Sequence, residues 1–217
     1  MVRHVVGSGG LLLCALTGVL AAGCARLPYT TTVVHEDRRV IVSLQRDPDA
    51  MPYTHPVQLP ADELTAVLSG FSFREKQRLP LRWFAEEVPP KKLFRSDEMQ
   101  ALVPFLSEGL AKASPDERVY FQVLAPGTNP AAERDTTAGW IAVREPYLHL
   151  ELEHYHAQFP VRKSEPFDLR YPATPPMPKT YILYFEPGRF WETDQASGRQ
   201  AVQLPMFLKT VPSTSAK

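Results

Sequence analysis

Residues 136–155 read TTAGWIAVREPYLHLELEHY, and they decide the fold. Two runs rich in β-branched and aromatic residues, Thr136 to Val143 and Tyr147 to Tyr155, flank Arg144-Glu145-Pro146. That spacer has room only for a tight reversal, so the pair is predicted to form an antiparallel hairpin. In the second run Leu148, Leu150 and Leu152 alternate with His149, Glu151 and Glu153, which gives the strand one apolar and one polar face. Gly139 interrupts the first run. A glycine inside a strand marks a bulge or a close backbone approach.

Working outward, Thr30 to Val34 and Arg39 to Leu44 read as a second hairpin across the charged turn His35-Glu36-Asp37-Arg38. Val119 to Leu124 and Tyr181 to Phe185 read as further strands, and Phe71 with Phe73 begins another. Two segments carry helical spacing. ADELTAVLSG (61–70) places Asp62 and Glu63 in its first turn and stops at Gly70. From Ser96, a predicted N-cap, Met99, Leu102, Val103, Leu106, Leu110 and Ala113 recur at steps of three and four, with Pro104 inside the run. Val202, Leu204, Met206, Phe207 and Trp191 are expected to close the core. The expected fold class is α+β: a single domain of mainly antiparallel sheet packed against two principal helices.

Composition narrows the function. The chain has 24 Lys and Arg against 24 Asp and Glu, so it carries no basic footprint for nucleic acid. Its 22 prolines favour short elements with many ordered connections. No glycine-rich phosphate loop or nucleophile elbow occurs, and no cofactor is implied.

The richest polar stretch is His149 to His156. Strict alternation would put His149, Glu151, Glu153 and Tyr155 on one face, and His154 and His156 with the leucines on the other. His154, His156, His149 and Glu151 are the candidate metal ligands, but each face then holds too few donors for a zinc site without help from His35 or His55. A solvated polar face is the plainer expectation. The aromatic set Tyr147, Tyr155, Phe159, Tyr171, Tyr181, Tyr184, Phe190 and Trp191 fits either core or a contact surface.

The first 24 residues carry a different signal. Arg3 supplies a positive start, Leu11 to Ala22 an uncharged apolar run, and Ala21, Ala22 and Gly23 small residues directly before Cys24. Leu20 to Cys24 resembles the lipobox of bacterial lipoproteins, with Ala21 where the family usually has leucine. The resemblance implies a signal peptide (1–23), lipidation of Cys24 and, because Ala25 follows, sorting to the outer membrane facing the periplasm. An uncleaved anchor over Val5 to Ala22, or cleavage by an ordinary signal peptidase, are the alternatives. Removal of residues 1–23 leaves 194 residues in which Cys24 is the only cysteine, the other being Cys14. An exported domain without a cysteine pair has no disulfide to form, and acylation would consume the lone thiol. A tether (24–29), a globular domain (30–210) and a frayed tail (Val211 to Lys217) complete the expected organisation. The expected function is a lipid-anchored, non-enzymatic envelope adaptor or assembly component, with possible protein partners in the envelope. The alternatives are a metal- or ligand-binding lipoprotein using the His149 to His156 strand, and an envelope hydrolase.

Overall fold

The computed structural model describes residues 31–47, 52–75, 89–161 and 181–211. Cys24, the signal segment, Tyr171 and the C-terminal tail beyond residue 211 lie outside the described residues.

Ten strands and three helices are present among the described residues, so the architecture is dominated by sheet. The strands are β1 (Thr32–Glu36), β2 (Val40–Arg46), β3 (Phe71–Glu75), β4 (Lys91–Lys92), β5 (Glu117–Pro126), β6 (Glu133–Arg144), β7 (Tyr147–Pro160), β8 (Tyr181–Phe185), β9 (Trp191–Thr193) and β10 (Gln200–Gln203). The helices are α1 (Ala61–Gly70), α2 (Ser96–Lys112) and the short α3 (Leu204–Leu208). Seven strands make one antiparallel sheet in the order β1-β2-β5-β6-β7-β10-β9, and β4-β3-β8 make a second. One sheet was expected. The chain builds two because β3 pairs with β8 over more than a hundred residues of sequence separation, which no local pattern encodes.

Both predicted hairpins form. At the first, Asp37 Oδ1 accepts the backbone N–H groups of Arg39 (2.7 Å) and Val40 (2.6 Å). These backbone bonds, with a smaller contribution from His35, hold the Asp37 carboxyl down at about 2. A side chain that mimics a backbone turn in this way sets the reversal between β1 and β2.

The core lies between one face of the large sheet and the helices. Val40 and Val42 of β2, Val119 and Phe121 of β5, Ile141 and Val143 of β6, and Leu148 of β7 are fully buried against Leu102, Leu106 and Leu110 of α2. Each such side chain contributes roughly 1.5–3 kcal/mol when removed from water. Gly109 lets α2 lie close to the sheet, since a Cβ there would stand 2.8 Å from Val119 Cγ1. Ser96 is the first residue of α2, with Arg95 as the N-cap; the Arg95 N–H donates to Glu98 Oε2 at 2.8 Å. Pro104 is accommodated within α2, on its exposed side. Phe71, Phe73 and Phe185 join the same core from the small sheet. At the chain's end Val202, Leu204 and Phe207 are buried, whereas Met206 points outward at 49% exposure. That corrects the expectation for Met206: in the single turn of α3 its neighbours Leu204 and Phe207 take the inward side.

Candidate functional site

The second face of the large sheet carries the polar chemistry. Register places Tyr120 of β5 beside Trp140 of β6, and Trp140 beside Glu151 of β7. Ala142 stands opposite His149, and Arg118 pairs with Gln45 of β2. Small Ala142 between larger neighbours leaves a hollow. The resulting cavity, of about 450 Å³, is bounded further by Asp47, Tyr53, Arg144 and Tyr181, and by Ser197 and Arg199 of the β9–β10 turn. This volume falls in the range of small-molecule sites.

The floor is Trp140, whose indole N–H donates to Gln45 Oε1 at 2.8 Å. The Arg118 guanidinium lies over its ring, 4.2 Å from the centroid. Arg118 Nη1 stands 3.6 Å from Asp47 Oδ2 and 3.8 Å from Glu151 Oε2, both longer than a hydrogen bond. Arg199 Nη1 donates to Glu151 Oε2 at 2.9 Å and Arg144 Nη1 to Asp194 Oδ2 at 3.2 Å. The Tyr53 hydroxyl donates to Asp47 Oδ2 at 2.9 Å, and burial, reinforced by Asp47, pushes its phenol up to about 12.

Asp194 organises the turn that roofs this cavity. Its carboxylate accepts the Ser197 hydroxyl at 2.7 Å and the Ala196 N–H at 2.9 Å, and its carbonyl accepts the Gly198 N–H at 2.8 Å. Burial alone would raise the Asp194 carboxyl. The bonds from Ser197 and Ala196 and the nearby Arg144 and His149 outweigh it, so the group sits below its ordinary value.

His149 Nε2 lies 3.3 Å from Asp194 Oδ2. Burial first, then the Arg144 charge, pushes the imidazole down to about 4 against the opposing pull of Asp194. It is therefore neutral at pH 7. The unfolded chain binds this proton near pH 6.5 and the folded chain only near 4, so stability is complete above 6.5 and falls as pH drops from about 6.5 to about 4. Discounted for solvent screening, the loss is roughly 2 kcal/mol. Urea unfolding at pH 7.5 and 4.5 should show this for the wild type and a smaller difference for His149→Gln. Part of the slope will remain in the variant, because His55 is also held down by burial. An unchanged slope would contradict the assignment.

The sequence-derived ligand set does not converge. His149 and Glu151 line the cavity. Beyond them β7 loses strict alternation at two bulges, since Gly139 pairs with Leu152, Ala138 with His154 and Thr136 with Ala157. The first bulge leaves Glu153 and His154 together on the polar side, where the Tyr120 hydroxyl reaches Glu153 at 3.4 Å. His154 packs edge-on against Phe159. The second leaves Tyr155 and His156 together on the helix side, Tyr155 against Phe73 and His156 Nδ1 2.8 Å from Asp135 Oδ2, which also takes Arg95 Nη2 at 3.3 Å. His156 itself adopts φ 42°, the left-handed region that accommodates such an extra residue.

The expected face assignment is thus corrected: His154 and Tyr155 exchange sides because a bulge inserts one residue without a partner. No group of three or more His, Cys, Asp or Glu suited to a metal occurs among the described residues. His35 and His55 are elsewhere, His35 stacked on Phe105 with ring centroids 3.5 Å apart and His55 bonded to the backbone of β5 and β6. Of the aromatic set, Tyr155, Tyr181, Phe190 and Trp191 pack on the core.

Sequence reasoning missed Arg118, Trp140 and Arg144, although alternation against Val119, Ile141 and Val143 assigns all three to the face of His149. Nothing local pointed to Asp194 or Arg199, which arrive from a turn. No protein-family model matches the chain, and comparison with the curated proteins and with the solved structures likewise gave no match.

Proposed function

We propose that this chain is a non-enzymatic, lipid-anchored binding protein of the cell envelope, an α+β domain tethered to the outer membrane through acyl chains on Cys24. Its cavity on the polar face of the large sheet would take a small polar ligand from the periplasm. The observation that supports binding is the cavity itself, in which three guanidiniums and a half-buried tryptophan are held by partners on four separate strands and a turn. Binding is favoured over catalysis because the titratable groups there are driven away from neutrality, His149 down to about 4 and Tyr53 up to about 12. A general acid or base works best with a pKa near the working pH.

Two or three acyl chains, at about 0.8 kcal/mol per buried CH₂, would make the anchor stable. The full chain expressed in a Gram-negative host is expected in the membrane fraction with acyl groups on Cys24 by intact mass, and Cys24→Ser is expected to leave it. A Cys24→Ser protein that still partitions with membranes after losing its first 23 residues would refute the anchor. For the cavity, native mass spectrometry of the purified protein is expected to show a small molecule released on denaturation and lost in Arg118→Gln.

The adaptor reading is second, favoured by β1. That strand is an outer edge of the large sheet with Val33 exposed at 55%, a geometry open to strand addition by a protein partner. Crosslinking from position 33 in native membranes that yields no partner would remove it.

A further inference from the structure

Resting on the reading of the cavity as a ligand site, its charge arrangement narrows the ligand's chemistry. Two of the three guanidiniums have a hydrogen-bonded carboxylate, Arg144 with Asp194 and Arg199 with Glu151. Arg118 has none: among the described residues its side chain makes no hydrogen bond, and its two carboxylate neighbours both approach the same nitrogen, Nη1, at 3.6 and 3.8 Å. Its side chain is 23% exposed and its plane is supported by Trp140. A guanidinium so oriented presents donors in the fixed geometry that matches a carboxylate.

Asp194 is withdrawn from the cavity, 4% exposed and occupied by Ser197, Ala196 and Arg144. Arg144 is thereby neutralised by Asp194 and Arg199 by Glu151, so the guanidinium of the cavity without a hydrogen-bonded carboxylate is Arg118, which stands between Asp47 and Glu151. One guanidinium without a hydrogen-bonded carboxylate suits a single acid group. The same two carboxylates repel a dianion and offer acceptors to any donor the ligand brings beside its acid group. We propose that the cavity binds a small molecule with a single carboxylate and hydroxyl or ammonium donors beside it, with Arg118 as the residue that grips the acid group.

The test uses the full chain in detergent micelles, titrated separately with D-glucuronate, L-alanine, D-glucose and inorganic phosphate. The readout is the Trp140 indole N–H resonance, identified among the chain's three tryptophans by its loss in Trp140→Phe. Saturable shifts with glucuronate or alanine, and not with glucose or phosphate, are expected; which of the two acts separates a hydroxy acid from an amino acid. Arg118→Lys, which keeps the charge and loses the fork, should weaken binding roughly tenfold or more. Arg199→Ala, at an exposed position (62%), should weaken it a few-fold without a loss of Tm. Phosphate or glucose saturating as tightly as the carboxylates, or Arg118→Lys binding like wild type, would overturn the carboxylate assignment while leaving the cavity a ligand site. If none of the four probes moves Trp140, both the assignment and the cavity's role as a ligand site fall.

Discussion

Gly139→Ala is expected to be among the most destabilising single substitutions in this protein, costing about 3 kcal/mol or more although it adds only a methyl group. A Cβ at this position would lie 2.2 Å from the Glu151 carbonyl oxygen and 3.0 Å from Leu152 Cα. Both neighbours are backbone, so a rotamer change gives no relief. The first bulge of β7 brings the strand this near, because Gly139 pairs with Leu152 and Ala138 with His154, leaving Glu153 without a partner. To admit the methyl group β7 would have to retreat, disturbing Glu151 on the cavity wall and Leu152 in the core together. Thermal unfolding should show a fall in Tm of roughly 6–12 °C. Gly188→Ala is the matched control, since a Cβ there meets nothing within 4 Å. Equal Tm values for the two variants would show that β7 adjusts freely.

His55→Ala is expected to cost about 2–5 kcal/mol, because it strands two backbone groups at once, one buried and one half-buried. β5 and β6 pair as far as Val119 with Ile141. Beyond that, the chain segment preceding α1 enters between them. His55 Nδ1–H donates to the Glu117 carbonyl at 2.9 Å, while Nε2 accepts the Val143 N–H at 3.0 Å, which fixes the tautomer. Around it the Thr54 N–H reaches the Val143 carbonyl at 2.9 Å and the Tyr53 N–H the Pro115 carbonyl at 2.8 Å. The imidazole thus replaces the ladder where the strands separate, and it also sets Tyr53, stacked 5.3 Å away, against the cavity. Burial holds the ring below its ordinary pKa despite Glu117, in keeping with a neutral bridging role. Urea unfolding at pH 7.5 should place His55→Gln between wild type and His55→Ala, since an amide supplies one donor and one acceptor. A His55→Ala protein within 1 kcal/mol of wild type would show that water replaces both bonds.

Several parts of this molecule were legible because their energies are local. The leucine alternation of 148–152 and the turn chemistry at 144–146 specify the β6–β7 hairpin with no outside help, and the three- and four-residue spacing from Met99 to Ala113 specifies α2. Gly139 could be read as a bulge or close approach from its place in a strand. His55 could not be read at all, since a histidine among prolines 52, 56 and 60 gives no sign of the two carbonyl and amide groups waiting for it some 60 and 90 residues away.

The sequence by itself therefore determined the longer strands, the helices α1 and α2, and that the candidate ligands lay on β7, because side-chain period is a property of neighbouring residues; the short β4, β9, β10 and α3 carry too few residues to show one. Only the tertiary structure decided that His154 joins Glu153 on the polar side while Tyr155 turns to the helix side with His156, and that Arg118, Arg144 and Arg199 meet around Trp140. Bulge positions depend on how two strands share unequal numbers of residues, and the guanidinium cluster depends on strand order and on one distant turn. Neither leaves a periodic mark on the chain.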